Sequence, residues 1–340
     1  MKNTILITGA TGYIGSHTWC ELLDAGYEVI GLDDLSNSSI LVLDRIAAIT
    51  GKKPIFFQGD VRNTALLEQI FASQEISAIV HFAALKAVGE SVVKPLDYYN
   101  VNVGGLIALL AAARDANVKR FIFSSSATVY GNPATVPVRE DFPVNATNPY
   151  GRTKLMSEEI LHDMELANPE WQIGYLRYFN PVGAHASGLL GESPKGIPNN
   201  LFPYVANVAI GNLGSLKVYG SDYATRDGTG VRDYIHVVDL AQGHVKAIDH
   251  VLNGGPSFTV NLGTGMGYSV LEVVRAYEEA SGRVVKHELV GRRPGDIAEC
   301  YADVTLASQL LDWRAKRGLM DMCRDSWRWQ TMNPNGLEGI

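Results

Sequence analysis

Tyr150 and Lys154 stand four residues apart, and Ser126 closes the run Phe123-Ser124-Ser125-Ser126. Positions i and i+4 of a helix share a face, so the phenol and the ammonium can approach the same spot. Asn148-Pro149 is a good start for such a helix, because Asn can cap it and proline tolerates the first turn. A free phenol titrates at about 10 and is a poor base at neutral pH, but a lysine cation beside it favours the phenolate. A serine at a strand end sits on the sheet edge where ligands bind, and its hydroxyl can hold a substrate oxygen as a proton leaves. Alone, Tyr-x-x-x-Lys is more often an exposed pair on a helix. It signals hydride-transfer chemistry only behind a dinucleotide site.

Such a site is expected at the N-terminus. An apolar strand runs into Gly9-Ala10-Thr11-Gly12-Tyr13-Ile14-Gly15, which opens a helix. Glycines let the backbone turn tightly and approach a pyrophosphate, which then meets the free N–H groups of the helix end. The second strand ends at Asp33, eighteen residues beyond Gly15, where a carboxylate suits the adenosine ribose hydroxyls. Asp34 adds a second negative charge that should repel the extra phosphate of NADP, so the expected cofactor is NAD. Its oxidised nicotinamide would favour the Tyr150 phenolate further.

The positioning elements read as strand-helix alternation. Strands are expected at Thr4–Thr8, Glu28–Asp33, Pro54–Gly59, Ala78–Ala83, Arg120–Ser125 and Trp171–Tyr178, several of them nearly continuous apolar runs. Helices are expected at Gly15–Leu23, Thr64–Phe71, Leu96–Arg114 and Tyr150–Leu166. This pattern predicts an α/β fold, a Rossmann-type doubly wound parallel sheet. After Asn180 the chain turns rich in Gly, Pro and Asn, with a helix near Leu201–Ile210. A helix at Val238–Leu252 and a strand at Phe258–Leu262 look like a return to the sheet, followed by a helix at Val270–Ala280. The expected division is an NAD-binding domain of residues 1–180 plus about 234–262, and a smaller interleaved α/β substrate domain of about 181–233 plus 263–340. A cleft between the two is the expected place for a substrate.

The 340 residues, at roughly 150 per domain, suit two domains. Against 36 acidic residues stand 29 basic ones, a net charge of −7, and no Lys/Arg cluster occurs, which argues against nucleic-acid or anionic-membrane partners. The longest apolar stretch, Leu106–Ala113, is too short to cross a bilayer. Met1-Lys2-Asn3-Thr4 leads directly into the first strand, so no leader is expected. Cys20, Cys300 and Cys323 are scattered and odd in number, which suits a reduced, cytoplasmic protein without disulfides. The eight histidines show no metal-ligand spacing.

The Gly-x-x-Gly-x-x-Gly spacing, Gly59-Asp60-Val61-Arg62 and His81-Phe82-Ala83-Ala84 resemble the extended short-chain dehydrogenase/reductases. Longer stretches are similar to the UDP-glucose 4-epimerases. These are Leu85–Ser91, Phe121–Gly131, Arg177–His185, Gly196–Leu201, Gly228–Val237 and the tail Trp327–Gln330. The resemblance implies cofactor contacts at Gly9, Gly12, Tyr13, Ile14, Gly15, Asp33, Asp34, Asn37, Ser38, Asp60, Val61, Phe82, Ala83, Lys86, Ser124, Tyr150, Lys154, Tyr178 and Phe179. It implies substrate contacts at Lys86, Ser126, Asn180, Asn200, Leu201, Tyr219, Arg232, Arg293, Asp296 and Cys300. Amides both donate to and accept from sugar and phosphate oxygens, and arginine forks fit a diphosphate. Family members often carry Asn in place of Val101 and Asp34, Lys-Ser in place of Arg152-Thr153, and in some bacterial members Tyr in place of Cys300.

The implied reaction is interconversion of UDP-glucose and UDP-galactose. The sugar C4 is oxidised, the 4-keto sugar swings about its diphosphate link, and hydride returns to the opposite face. Small Cys300 implies room for the N-acetyl group of UDP-N-acetylglucosamine and UDP-N-acetylgalactosamine. A homodimer is implied through Leu96–Arg114 and Tyr150–Leu166. A nucleotide-sugar 4,6-dehydratase would need an acid beside Ser126, where Ala127 and Thr128 stand. A non-catalytic NAD-binding protein could dispense with Tyr150 and Lys154, and both are present.

Overall fold

The computed structural model describes residues 3–337 except 195, 197, 199 and 294. Met1, Lys2, Lys195, Ile197, Asn199, Pro294 and the last three residues therefore lie outside the described residues.

Thirteen strands are present among the described residues: β1 Thr4–Thr8, β2 Glu28–Asp33, β3 Ile55–Gln58, β4 Ile76–His81, β5 Arg120–Ser126, β6 Gln172–Tyr178, β7 Asn180–Val182, β8 Leu216–Tyr219, β9 Val231–His236, β10 Phe258–Leu262, β11 Gly267–Ser269, β12 His287–Val290 and β13 Glu299–Cys300. Seven form one parallel sheet in the order β10-β6-β5-β4-β1-β2-β3. Successive side chains of a strand face opposite sides, and each side of this sheet carries its own core. Ile5, Ile7, Ala78, Val80, Ile122 and Leu176 pack under the helices Tyr13–Asp24, Leu41–Thr50 and Val237–Leu252. Leu6, Ile79, Phe121, Phe123 and Ile173 face Thr64–Ser73, Gly105–Asp115 and Pro149–Ala167.

A smaller sheet is built around β9, with β11 antiparallel on one side and β7 and β13 parallel on the other. A parallel β8–β12 ribbon and the helices Leu201–Ile210, Val270–Ser281 and Leu319–Met332 complete a third core around Phe202, Val205, Val218, Tyr234, Val273, Tyr277 and Met322. After β9 the chain returns to the large sheet, where Val237–Leu252 packs on Tyr13–Asp24.

The helix expected over Leu96–Arg114 is broken. A short helix at Pro95–Tyr98 leads into a π-helical turn at Tyr99–Gly104 before Gly105–Asp115 begins. The wider turn points Asn102 inward, where its amide accepts from Leu85 N at 2.8 Å and donates to Leu85 O at 3.0 Å and Thr153 Oγ1 at 2.9 Å. This satisfies a loop and the Tyr150 helix with one side chain, a use π-turns often serve at functional sites. The helices Leu41–Thr50, Val88–Val93, Thr305–Leu311 and Leu319–Met332 and the short strands β7, β8, β9, β11, β12 and β13 go beyond the sequence expectation. Among the described residues, no helix is long and apolar enough to cross a membrane, and no cluster of His, Cys, Asp and Glu suits a metal ion.

Candidate active site

A cleft of about 2360 Å³ lies where the carboxyl ends of the parallel strands face the small sheet. Its walls contain every residue expected at the site except Cys300.

At one end is the glycine turn. Gly9 has φ +68°, and a Cβ there would stand 2.7 Å from Ala83 N. A Cβ on Gly15 would stand 2.2 Å from Gly9 O, so neither position admits a side chain. Gly12 opens the helix Tyr13–Asp24 with no side-chain cap, leaving its first amides for an anionic ligand. A bare backbone cradle aimed along a helix axis fits a dinucleotide pyrophosphate. Tyr13 donates to Gly183 O at 2.7 Å and so ties the turn to the substrate side. At the end of β2, the Asp33 carboxylate accepts from Thr11 N (3.1 Å), Leu35 N (2.9 Å) and Ser38 Oγ (3.0 Å). These bonds fix it against the glycine turn, with Asn37 beside it in the wall. Exposed Asp34 accepts from Ser36 instead. Asp60, after β3, is gripped by Arg62, whose guanidinium lowers the carboxyl pKa. Ile14, Val61, Phe82 and Ala83 supply the apolar part of this wall.

The centre is organised by β5 and the helix Pro149–Ala167, capped as expected by Asn148 Oδ1, which accepts from Gly151 N at 2.9 Å. Lys154 is buried and donates from Nζ to Ser124 O at 2.6 Å, with its ammonium 5.0 Å from the centroid of the Phe123 ring. Burial pulls its pKa down to about 7, and Glu158 opposes that shift. Burial raises the Tyr150 phenol, while a hydrogen bond with Ser126 lowers it. Ser126 Oγ also accepts from Thr128 N at 3.2 Å and Thr128 Oγ1 at 3.0 Å, which fixes its rotamer. Tyr178, at the end of β6, hydrogen-bonds Ser124 and His244, and burial raises its phenol pKa. Phe179 continues that wall.

The far end is polar. Asn180 donates to Asp233 O at 2.8 Å, joining β7 to β9. Asn200 Nδ2 (2.8 Å) and Lys86 Nζ (3.1 Å) converge on Glu192 Oε1. Arg232 lines the cleft from β9, and Arg293 lies over the Tyr219 ring at 5.2 Å while paired through two 3.1 Å bonds with Asp296. Leu201 begins the adjoining helix. Cys300 stands apart, half-buried on β13 and packed on the cluster of Val129, Tyr130, Val138, Phe179 and Ala302. Burial raises its thiol to about 11.

Thr128 and Glu192 were not visible as site residues in the sequence. Thr128 acts only through its turn with Ser126, and Glu192 meets Lys86 across 106 positions, so no local spacing marks either one.

A family profile described as GDP-mannose 4,6 dehydratase matches residues 6–326. The UDP-glucose 4-epimerase of Bacillus subtilis is 58% identical over 334 residues, covering 98% of each chain. The crystal structure of UDP-glucose 4-epimerase from Bifidobacterium longum, in complex with NAD+ and UDP, is 55% identical. It covers 98% of this chain and 100% of its own, with a TM-score of 0.95. That of the Stenotrophomonas maltophila UDP-glucose 4-epimerase, with NAD and formylated UDP-arabinopyranose, is 50% identical over 98% of each chain, with a TM-score of 0.96.

Proposed function

Because the chain belongs to the UDP-glucose 4-epimerases, NAD-dependent members of the extended short-chain dehydrogenase/reductases, we infer how its residues divide the reaction. The observation that carries this reading is the single cleft joining the glycine turn, the Ser126–Tyr150–Lys154 set and the polar end with Arg232 and Arg293. Gly9, Gly12, Gly15 and the first amides of Tyr13–Asp24 would hold the NAD pyrophosphate, with Asp33 on its adenosine ribose. When bound, NAD supplies a reversible hydride acceptor for C4 of the sugar. Tyr150 takes the 4-hydroxyl proton as C4–H breaks and C4=O forms, and gives it back when C4–H reforms on the other face. Ser126 holds that oxygen. Burial alone keeps the phenol protonated, so the phenolate needs positive charge, which Lys154 provides.

Arg232 and Arg293 would grip the UDP diphosphate while Asn180, Asn200 and Lys86 meet the sugar. A firm grip on the nucleotide leaves the keto sugar free to swing. The dehydratase alternative lacks its acid, because Ala127 and Thr128 follow Ser126.

The finer reading is that N-acetylated UDP-hexoses are also turned over: Cys300 lies behind the cleft lining rather than in it, opposite Arg232 on the neighbouring strand, and its small side chain would let that wall yield to an N-acetyl group. Residues 1–180 plus about 234–262 would form the NAD domain, and the remainder the UDP-sugar domain, in a cytoplasmic homodimer. The dimer is supported by exposed Val92, Val93, Leu96 and Met156 on Pro149–Ala167 and the short helices packed against it, and by exposed Ile107 on the helix that follows the π-turn.

The test is Tyr150→Phe, which keeps the ring packing and removes the base. UDP-galactose to UDP-glucose conversion should fall roughly 10²–10⁴-fold with NAD still bound. A rate within a few-fold of the unmodified protein would remove Tyr150 from this role, and a 4-keto-6-deoxy product would indicate a dehydratase.

A further inference from the structure

Three consecutive residues of β5 meet three positions of one helical stripe. Ser126 hydrogen-bonds Tyr150, Ser124 O accepts from Lys154 Nζ, and Ser125 Oγ donates to Glu158 Oε1. Tyr150, Lys154 and Glu158 follow at i, i+4 and i+8, so the strand end is joined to one stripe of the helix at three points, or rungs. The first two rungs belong to the proton-transfer set. The third has no role in that chemistry as derived above.

Glu158 is a buried carboxylate with a full set of partners. Arg177 of β6 binds it bidentately, from Nε to Oε1 at 3.0 Å and from Nη2 to Oε2 at 2.7 Å. The same guanidinium donates from Nη1 to Tyr130 OH at 3.0 Å and Glu140 O at 3.1 Å, and Tyr130 OH donates to Asn261 Oδ1 at 2.7 Å. The network thus ties β6, β10 and the turn after Ser126 to the helix of Tyr150. The buried imidazole of His81 on β4 also faces Lys154, while the phenols Tyr178 and Tyr98 face Tyr150, one helical turn away. Arg177 lies beyond the carboxylate. Beside the Ser124 carbonyl and the Phe123 ring, Glu158 is therefore the one negative charge described around Lys154 that favours its charged form.

We propose that Glu158 is a positioning residue for the proton transfer, holding Lys154 as an ammonium and keeping Ser126 and Tyr150 in register. The proposal rests on the Tyr150–Lys154 reading above. A buried ammonium without a counter-charge gives up its proton. Without Glu158, Lys154 becomes neutral at lower pH and the phenolate loses its support.

The test uses the purified protein with its cofactor and the variants Glu158→Gln, Glu158→Asp and the double variant Glu158→Gln/Arg177→Met. The double variant removes the unpaired arginine that could unfold the single one. In both Gln variants the alkaline limb of kcat with UDP-galactose should move down by about one pH unit or more. At pH 9, kcat should drop by about tenfold or more while KM stays within about twofold, with Glu158→Asp between these and the unmodified protein. Denaturant midpoints against pH give a second readout, independent of turnover: the rise in stability that accompanies Lys154 deprotonation should begin at lower pH. A folded double variant with an unchanged alkaline limb and an unchanged stability profile overturns the proposal. Unfolded Gln variants, with Glu158→Asp matching the unmodified protein at every pH, overturn it as well. If the unmodified protein does not interconvert UDP-hexoses, the functional reading fails, while the stability profiles still decide the Glu158–Lys154 coupling.

Discussion

Lys154 carries the most informative titration in the molecule. Its amine titrates at about 7 in the folded chain against 10.5 as an ordinary lysine. Between those values the unfolded chain holds a proton that the folded chain has lost, so stability rises with pH across the interval. Below pH 7 both states are charged and the burial cost is fully felt, up to about 5 kcal/mol as an upper bound. Denaturant midpoints of Lys154→Met should therefore climb less between pH 7 and 9.5 than those of the unmodified protein and exceed them at pH 6.5. Equal slopes would show that the amine is not desolvated. Cys300 makes a different demand. Cys300→Tyr should abolish turnover of UDP-N-acetylgalactosamine while largely sparing UDP-galactose. Loss of both would instead point to damage in the Phe179–Ala302 cluster on which Cys300 packs. An unmodified protein inactive on both N-acetylated sugars would end the pocket-size argument.

Among the elements, the π-turn at Tyr99–Gly104 has the clearest energetic consequence. Asn102→Ala leaves Leu85 N, Leu85 O and Thr153 without their shared partner. Unfolding in urea should show a loss of roughly 1–3 kcal/mol, the usual cost of orphaned buried polar groups. A loss below 0.5 kcal/mol, in the same rough scale, would mean that water replaces the amide. This element also marks where the sequence stops being legible. β1, β2 and β10 fall on the expected residues because both faces of those strands are buried and the runs are apolar. The turn at Asn102 interrupts an apolar, helix-periodic stretch for the sake of partners 17 and 51 positions away. The three-residue strands β7 and β11 carry no periodicity at all, and their partner β9 lies dozens of residues away. Ser126, Tyr150 and Lys154 were legible because two lie one helical turn apart and the third ends an apolar strand. Glu192 was not, since only the fold brings it to Lys86 and Asn200.

For the whole molecule, the exposed apolar side chains of Val92, Val93, Leu96 and Ile107 lie on successive elements, each packed on the next through the π-turn. Ile107→Glu should convert a dimer of about twice 36.9 kDa into monomers in sedimentation experiments. An unmodified protein that already sediments as a monomer would discard the dimer. The large sheet and the helices packed on it also share one acid response. His17, His81 and His244 are buried, and burial pulls them to about 3, 3 and 4 from an ordinary 6.5. Between those values the unfolded chain binds the protons that the folded chain refuses, so stability falls as pH drops below 6.5. Thermal scans from pH 7 to 5 should show the loss, and replacing His81 with Gln should make it shallower.

The path of the chain sets an order in time. β10 is the edge strand of the seven-stranded sheet, and the helix Val237–Leu252 covers the face formed by Ile122 of β5 and Leu176 of β6. A nascent chain that has emerged only as far as β6 must therefore wait for about seventy further residues before that face is covered. During that wait the ribosome holds an exposed apolar sheet face, which is the kind of surface chaperones bind. It follows that cutting the gene after β6 should yield an insoluble product. Co-expressing the two fragments, 1–180 and 181–340, should restore a soluble complex only when both are made together.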